Sequence, residues 1–335
     1  MPAESTPLSC WVLTDGKAGD ETPCLGVAEA MGLTPDIRRV RPRALFALLG
    51  PRGPIDPREA PGRPGSPIAP PFPDLLIASG RRALPYMRAV RRASAGRTFT
   101  LFLKDPRIGA EAADLIWVQE HDRLRGPNVL TSLTAPHRLS AAKLSHARAA
   151  LDPRIARLAR PRVAVLVGGD SRHHRFEADD IVRLARSLRD LAASGASLAV
   201  TASRRTPKDL LDELRALAVP PRHFLWDPSE PPGDNPYLSL LAGADAVVVT
   251  ADSTNMVGEA AATGVPVLVF EPSGGHPKIR RFLDALIRYG AVRPFAGRLE
   301  EYAYQPLDST CEIAEAARVA LARHLAAVRR GPPEF

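Results

Sequence analysis

The chain has 335 residues, 45% of them hydrophobic and 24% charged, the proportions of a globular protein and not of a disordered one. Its longest run without a charged residue or histidine, 191–203, is 13 residues, whereas a spanning helix needs ~20, so a transmembrane helix is excluded. The net charge is +8, and aromatics at 5% are too sparse to interleave a nucleic-acid-binding surface, which leaves nucleic acid out of the expected partners.

Short apolar runs alternate along the chain with longer helical patterns. The predicted strands are 10–14, 74–78, 98–103, 115–118 and 128–131, then 163–167, 197–201, 223–226, 246–249 and 266–270. Runs such as Val163-Ala164-Val165-Leu166-Val167 are apolar throughout, as in strands covered on both faces. Helical spacing marks 176–193, through Ile181, Leu184, Leu188 and Leu191, and also 207–217 and 313–328. A longer helical stretch, 140–158, joins the two series. The alternation predicts an α/β fold with parallel sheets and right-handed crossovers.

The length implies two domains at ~150 residues each. The expected division is 1–145, a Rossmann-like domain, and 146–307, a Rossmann-like domain of nucleotide-binding type. The segment 308–335 is expected as a helix returning to the first domain. Residues 51–73 hold nine prolines, a density that neither helix nor central strand tolerates, so they read as an irregular surface excursion.

The informative pattern lies in the short segment after each strand, because open parallel sheets bind ligands outside the carboxyl ends of their strands. In the first half these segments are Asp15-Gly16-Lys17, Ser79-Gly80-Arg81-Arg82, Lys104-Asp105-Pro106-Arg107 and Glu120-His121-Asp122. In the second they are Gly168-Gly169-Asp170-Ser171, Ser203-Arg204-Arg205-Thr206-Pro207 and Asp252-Ser253-Thr254-Asn255. Singly each is ordinary turn chemistry. Together they predict two rims lining a cleft between facing sheets.

Gly168 and Gly169 can let backbone amides approach a phosphate. Arg204 and Arg205 precede a helix start, where the macrodipole also favours an anion; the alternative is that Thr206 caps the helix that Pro207 opens. Ser253 opens a helix on which Glu259 lies about two turns in, suited to accept hydrogen bonds from ribose hydroxyls. Ser171, Ser203 and Asp252 complete the expected diphosphate site. Asp15 is the candidate base for an acceptor hydroxyl and His121 the second candidate. Lys17, Arg81, Lys104, Arg107 and Asn235 are the remaining expected cleft residues.

Only five of the 45 basic residues are lysine. The arginine surplus reads either as anion recognition or as the codon bias of a GC-rich genome. Arg41, Arg43, Arg52 and Arg58 flank the proline-rich excursion and could meet an anionic membrane surface. Cys10, Cys24 and Cys311 are odd in number and lack metal spacing; each reads as a small buried hydrophobe, and a reducing cytoplasm fits them. The adjacent His173 and His174 have no supporting ligand spacing, so no metal is expected. The first ten residues carry Glu4 and no basic region, which argues against an ordinary secretory signal.

The run from Ala244 through Asp252-Ser253 and Glu259 to Gly264-Val265-Pro266-Val267 resembles the donor half of GT-B glycosyltransferases. The chain as a whole resembles a narrower family, the plant mitochondrial fission factors named for elongated mitochondria and their bacterial relatives. The resemblance rests on Trp11 to Gly19, Gly168 to Ser171, Thr201 to Pro207, Gly233-Asp234-Asn235-Pro236-Tyr237 and Val249 to Glu259. It departs at Glu21-Thr22-Pro23-Cys24, where the family tends to carry an Asn-Gln-type pair. The resemblance implies a GT-B-like pair of Rossmann-type domains. It offers three functions: a glycosyltransferase using a nucleotide-sugar with no required cofactor, a non-catalytic scaffold recruiting a protein partner, or a sugar-nucleotide epimerase.

Overall fold

The computed structural model describes residues 7–231 and 233–330. These residues form two compact units, each built on its own parallel sheet. One holds the chain up to Arg138 together with the segment from Asp308; the other is Leu139–Leu307.

The first unit runs β1 (Cys10–Thr14), α1 (Ala18–Ala30), β2 (Asp36–Arg39), α2 (Ala44–Leu49), β3 (Leu75–Ala78), α3 (Leu84–Ala93), β4 (Phe99–Leu103), β5 (Leu115–Gln119) and β6 (Val129–Ser132). The second runs α4 (Ala141–Ala149), α5 (Pro153–Ala156), β7 (Arg162–Leu166), α6 (Ala178–Ala193), β8 (Ser197–Thr201), α7 (Lys208–Leu217), β9 (Phe224–Trp226), α8 (Tyr237–Gly243), β10 (Ala246–Thr250), α9 (Thr254–Ala261), β11 (Val267–Phe270), α10 (Pro277–Tyr289) and β12 (Val292–Pro294). The chain then returns to the first unit as α11 (Ser309–Arg330).

The strand orders are β2-β1-β3-β4-β5-β6 and β12-β11-β10-β7-β8-β9, every pairing parallel. Alternation along β1 shows why both faces are covered. Cys10 and Val12 point into a core with Cys24 and Val27 of α1 and Ile313 of α11, while Trp11 and Leu13 join Tyr86 and Met87 of α3. α11 is tied down by Ser309, whose hydroxyl lies 2.7 Å from that of Thr134, and by Thr310, which accepts the His137 N–H.

Three features differ from the sequence reading. β2 and β12 are additional strands, both at sheet edges. An edge strand needs little apolar surface, and Asp36-Ile37-Arg38-Arg39 offers one apolar side chain. The 140–158 stretch is two helices because Asp152 caps a new start at Pro153, whose ring cannot continue a helix. Cys311 is exposed, unlike Cys10 and Cys24.

Candidate functional site

Each sheet has one point where strand order reverses, and ligands bind there in this architecture. In the second unit it lies between β7 and β10, with the 168–171 loop after one strand and Asp252-Ser253 after the other. In the first it lies between β1 and β3, with Asp15 and the Ser79–Arg82 turn.

In the second unit the loops are bound to one another. Gly168 N–H donates to Thr250 Oγ1 (2.8 Å) and Gly169 N–H to Asp252 Oδ2 (3.0 Å). Thr250 donates to Asp252 Oδ1 (2.7 Å), and Arg205 Nη2 stands 3.5 Å from Asp252 Oδ2. The Asp252 side chain is 0% exposed, and burial pushes its carboxyl above the ordinary range against these partners. A Cβ on Gly169 would lie 2.0 Å from the Arg205 carbonyl oxygen, and one on Gly168 2.1 Å from Asp252 Oδ2. The glycines are therefore what lets the three loops close.

The amides of Gly168 and Gly169, expected to approach a phosphate, have partners of their own here. They are spent inside the protein, as are those of Asp170, on the Arg205 carbonyl, and Ser171, on the His174 carbonyl. Asp252 likewise turns inward. Thr206 does not cap α7: Pro207 holds the N-cap position, and the Thr206 hydroxyl donates to the Gly168 carbonyl. Arg205 Nη1 donates to the Asp170 carbonyl (2.9 Å), so the expected arginine pair divides. Arg205 clamps the loops, while Arg204 is exposed and its guanidinium has no partner among the described residues.

The part that remains open faces α9. Ser253 Oγ accepts from Met256 N–H (3.4 Å), and no acceptor among the described residues takes the Thr254 and Asn255 amides. Ser203 Oγ accepts the Arg205 N–H, and Ser171 Oγ accepts the amides of His173 and His174. Further along α9, Glu259 Oε2 accepts from the Tyr237 hydroxyl. Oε1 has no partner among the described residues. Burial raises the Glu259 carboxyl, Tyr237 opposes the rise, and burial drives the Tyr237 phenol far upward. Residue chemistry does not single out Tyr237 in the sequence; its place in the Gly233-Asp234-Asn235-Pro236-Tyr237 segment is the available signal. Asn235 is exposed in that loop, which Trp226 and Arg154 hold through the carbonyls of Gly233 and Asp234. The His173 ring packs on that of His276 at 4.4 Å, and His174 is buried.

In the first unit Asp15 is enclosed, with 5% of its side chain exposed. Oδ2 receives Lys17 Nζ (2.7 Å) and Arg82 Nη1 (3.4 Å); Oδ1 is buried with no partner among the described residues. Beside it, Lys104 Nζ and the Ser79 hydroxyl each stand 3.0 Å from Asp20 Oδ1. Gly80 takes φ +93° within reach of Asp20, where a Cβ would stand 2.8 Å from Oδ2. Three expected residues do not join this group. Arg81 turns away and donates to the carbonyls of Leu48 and Gly50 at the end of α2. His121 follows β5, three strands from β1, which separates the strand ends by about 14 Å. Arg107 is held through its backbone, by Asp105 and by Arg52, and its side chain is exposed.

A model of the mitochondrial fission ELM1 family matches residues 18–321. The chain belongs to that family. It is 30% identical over 277 residues to the Mitochondrial fission protein ELM1 of Arabidopsis thaliana, covering 75% of this chain and 64% of the plant protein. It is 32% identical over 165 residues to the Uncharacterized protein RP120 of Rickettsia prowazekii (strain Madrid E), covering 47% of this chain and 46% of that one. The chain spans less than two thirds of the length of either relative. Among solved structures, UDP-GlcNAc 2-epimerase from Methanocaldococcus jannaschii superimposes with a TM-score of 0.55 at 9% identity, over 93% of this chain and 100% of that one. The fold of this family member is therefore GT-B-like, with two α/β units that each hold a six-stranded parallel sheet. Among the described residues, no helix is long and apolar enough to cross a membrane.

Proposed function

We propose that this family member binds a nucleotide-sugar and transfers its sugar to an acceptor, needing no resident cofactor. One arrangement carries the reading: the open start of α9, Arg204, whose guanidinium has no partner among the described residues, and the half-buried Glu259 all follow the carboxyl ends of strands in one sheet. The helix start and Arg204 suit a diphosphate. Glu259 lies about 7.5 Å along the helix from Thr254, a reach suited to a ribose diol. Its open Oε1 accepts a hydroxyl there. The Methanocaldococcus structure, whose name states a UDP-sugar, supports a nucleotide-sugar as the ligand class.

In the transfer, the acceptor oxygen bonds to the anomeric carbon as the carbon–phosphate oxygen bond breaks. The departing diphosphate keeps the electron pair, and Asp15 takes the acceptor's proton. Titration calorimetry with UDP-, GDP- and ADP-sugars tests the binding. At least one is expected to bind, and Glu259→Ala to abolish it. Binding by none, or equal binding by Glu259→Ala, would end this reading.

A non-catalytic scaffold is the second reading. The observation that favours it is the complete use of the 168–171 amides within the protein. Native mass spectrometry of the purified chain separates the two, since a scaffold carries no co-purified nucleotide.

A further inference from the structure

The apolar stripe of α2 points the wrong way for a folded protein. Leu45, Leu48 and Leu49 occupy i, i+3 and i+4, one face of the helix. A surface helix turns such a face to the core. Here the three leucines are 63%, 73% and 45% exposed, and α2 buries none of its residues. Single exposed leucines are ordinary, but three on one short helix form a contiguous patch.

The patch is also held in place. A helix of six residues is unstable by itself. Arg81 donates to the Leu48 and Gly50 carbonyls, the acceptors left open at its C-terminus, where a cation is also favoured by the dipole. At the other end Arg43 binds Asp56 through both Nε and Nη2, and its guanidinium lies 5.1 Å from the Phe46 ring centre. The fold thus stabilises a leucine ridge that it does not use for packing.

The charge beside the ridge selects its occupant. Arg41 precedes α2 and Arg52 follows it, both exposed; Arg58 is exposed nearby in sequence. Arg52 is bonded to a carbonyl, that of Arg107, and so keeps its charge. Of the two acids of the segment, Asp56 is buried against Arg43, and Glu59, which accepts from the Tyr86 hydroxyl and the Arg41 amide, keeps its charge and offsets one of the three remaining arginines. The segment keeps a net positive charge, with exposed arginines before and after the apolar ridge in sequence, the combination that recognises an anionic lipid surface.

We infer that α2 is a membrane-docking ridge, with Leu45, Leu48 and Leu49 entering the headgroup region of an anionic bilayer and Arg41, Arg52 and Arg58 contacting lipid phosphates. The contact is peripheral and adds to the nucleotide-sugar reading without depending on it.

Flotation of the full chain with vesicles tests it. Vesicles of phosphatidylcholine alone are compared with an equal mixture of phosphatidylcholine and phosphatidylglycerol, at low and high salt. The chain is expected to float with the anionic vesicles, and less at high salt. Leu45→Ser with Leu48→Ser is expected to lower the partition roughly tenfold or more. Arg41→Glu with Arg52→Glu is expected to act similarly. Val182→Ser, at a residue 66% exposed on the other unit, is the control and leaves it unchanged. Circular dichroism confirms that the variants fold. The inference is overturned by no flotation with anionic vesicles, by equal flotation with neutral ones, or by a leucine variant that floats like the parent. It is also overturned if the parent self-associates through these leucines and does not float, which would make a second copy the occupant.

Discussion

The Tyr237 hydroxyl donates to Oε2 of Glu259, joining the first residue of α8 to the helix that follows β10. The bond fixes a half-buried carboxylate so that one oxygen is committed and the other is open. Tyr237 therefore acts as a positioning residue for Glu259 in the proposed site. Tyr237→Phe removes a hydrogen bond to a half-buried carboxylate and is expected to cost roughly 1.5–3 kcal/mol of stability. Urea denaturation measures this. The same variant should weaken nucleotide-sugar binding, since Glu259 loses its fixed orientation. A variant with unaltered stability and affinity would show that the bond has no such role.

The pH dependence of stability carries the signature of Glu259. Burial raises its carboxyl in the folded state, so the folded chain binds the proton more tightly than the unfolded chain. Its contribution is then fully present below the unfolded value and is lost as pH rises through the raised folded value. Glu259→Gln cannot titrate. The stability of the parent relative to this variant is expected to fall as pH rises above the ordinary glutamate range and to level off beyond it. Asp252 shifts in the same direction but is present in both proteins, so the difference isolates Glu259. Thermal unfolding across pH checks the trend, and an opposite slope would show a carboxyl lowered on folding.

Adjacent loops in the second unit are expected to separate stability from binding. Gly169→Ala places a Cβ 2.0 Å from the Arg205 carbonyl oxygen, which is backbone and cannot swing aside. Overpacking of this kind costs about 1–3 kcal/mol. Arg204→Ala removes an exposed side chain with no partner among the described residues, so stability should not change. Nucleotide-sugar affinity should fall by roughly tenfold or more, as for loss of a charge-assisted hydrogen bond. Paired denaturation and calorimetry would reveal a reversed pattern at once.

Much of this site is legible in residue order. An apolar strand ending in Thr250-Ala251-Asp252-Ser253 and a glutamate on the next helix announce a strand–helix turn with polar chemistry. The destinations of individual side chains are not legible. Arg81 and Arg82 are neighbours after one strand, yet Arg82 turns to Asp15 and Arg81 to the end of α2. Their destinations depend on chain segments remote in sequence. The amides of Gly168 and Gly169 meet the same limit, because their acceptors, Thr250 and Asp252, come from another strand end. Edge strands escape for a different reason: β2 is polar because neither of its faces needs full cover.

Arg81 gives a prediction that separates its two readings. As an anion ligand it would be needed for nucleotide-sugar binding. As the tether of α2 it is not. Arg81→Ala is expected to leave affinity unchanged and to speed amide hydrogen exchange in 44–53, whose helix has no buried residue to hold it. Exchange mass spectrometry resolves this segment from the rest of the unit. Unchanged exchange together with lost affinity would restore the anion-ligand reading.

The last prediction concerns Asp15. Its Oδ2 pairs with Lys17 and Arg82, while the buried Oδ1 has no partner among the described residues. A buried carboxylate oxygen without a donor is costly, a cost retained where a carboxylate is kept for chemistry. In the proposed transfer the Asp15 carboxylate takes the proton, so Asp15→Asn removes the base while keeping the shape. Turnover is expected to fall by roughly 10²–10⁴-fold, with nucleotide-sugar affinity unchanged because those ligands lie in the other unit. His121→Ala should alter turnover little, since its strand end is about 14 Å from that of β1. Sugar transfer by Asp15→Asn at the parental rate, or its loss in His121→Ala alone, would move the base from Asp15 to His121 or elsewhere.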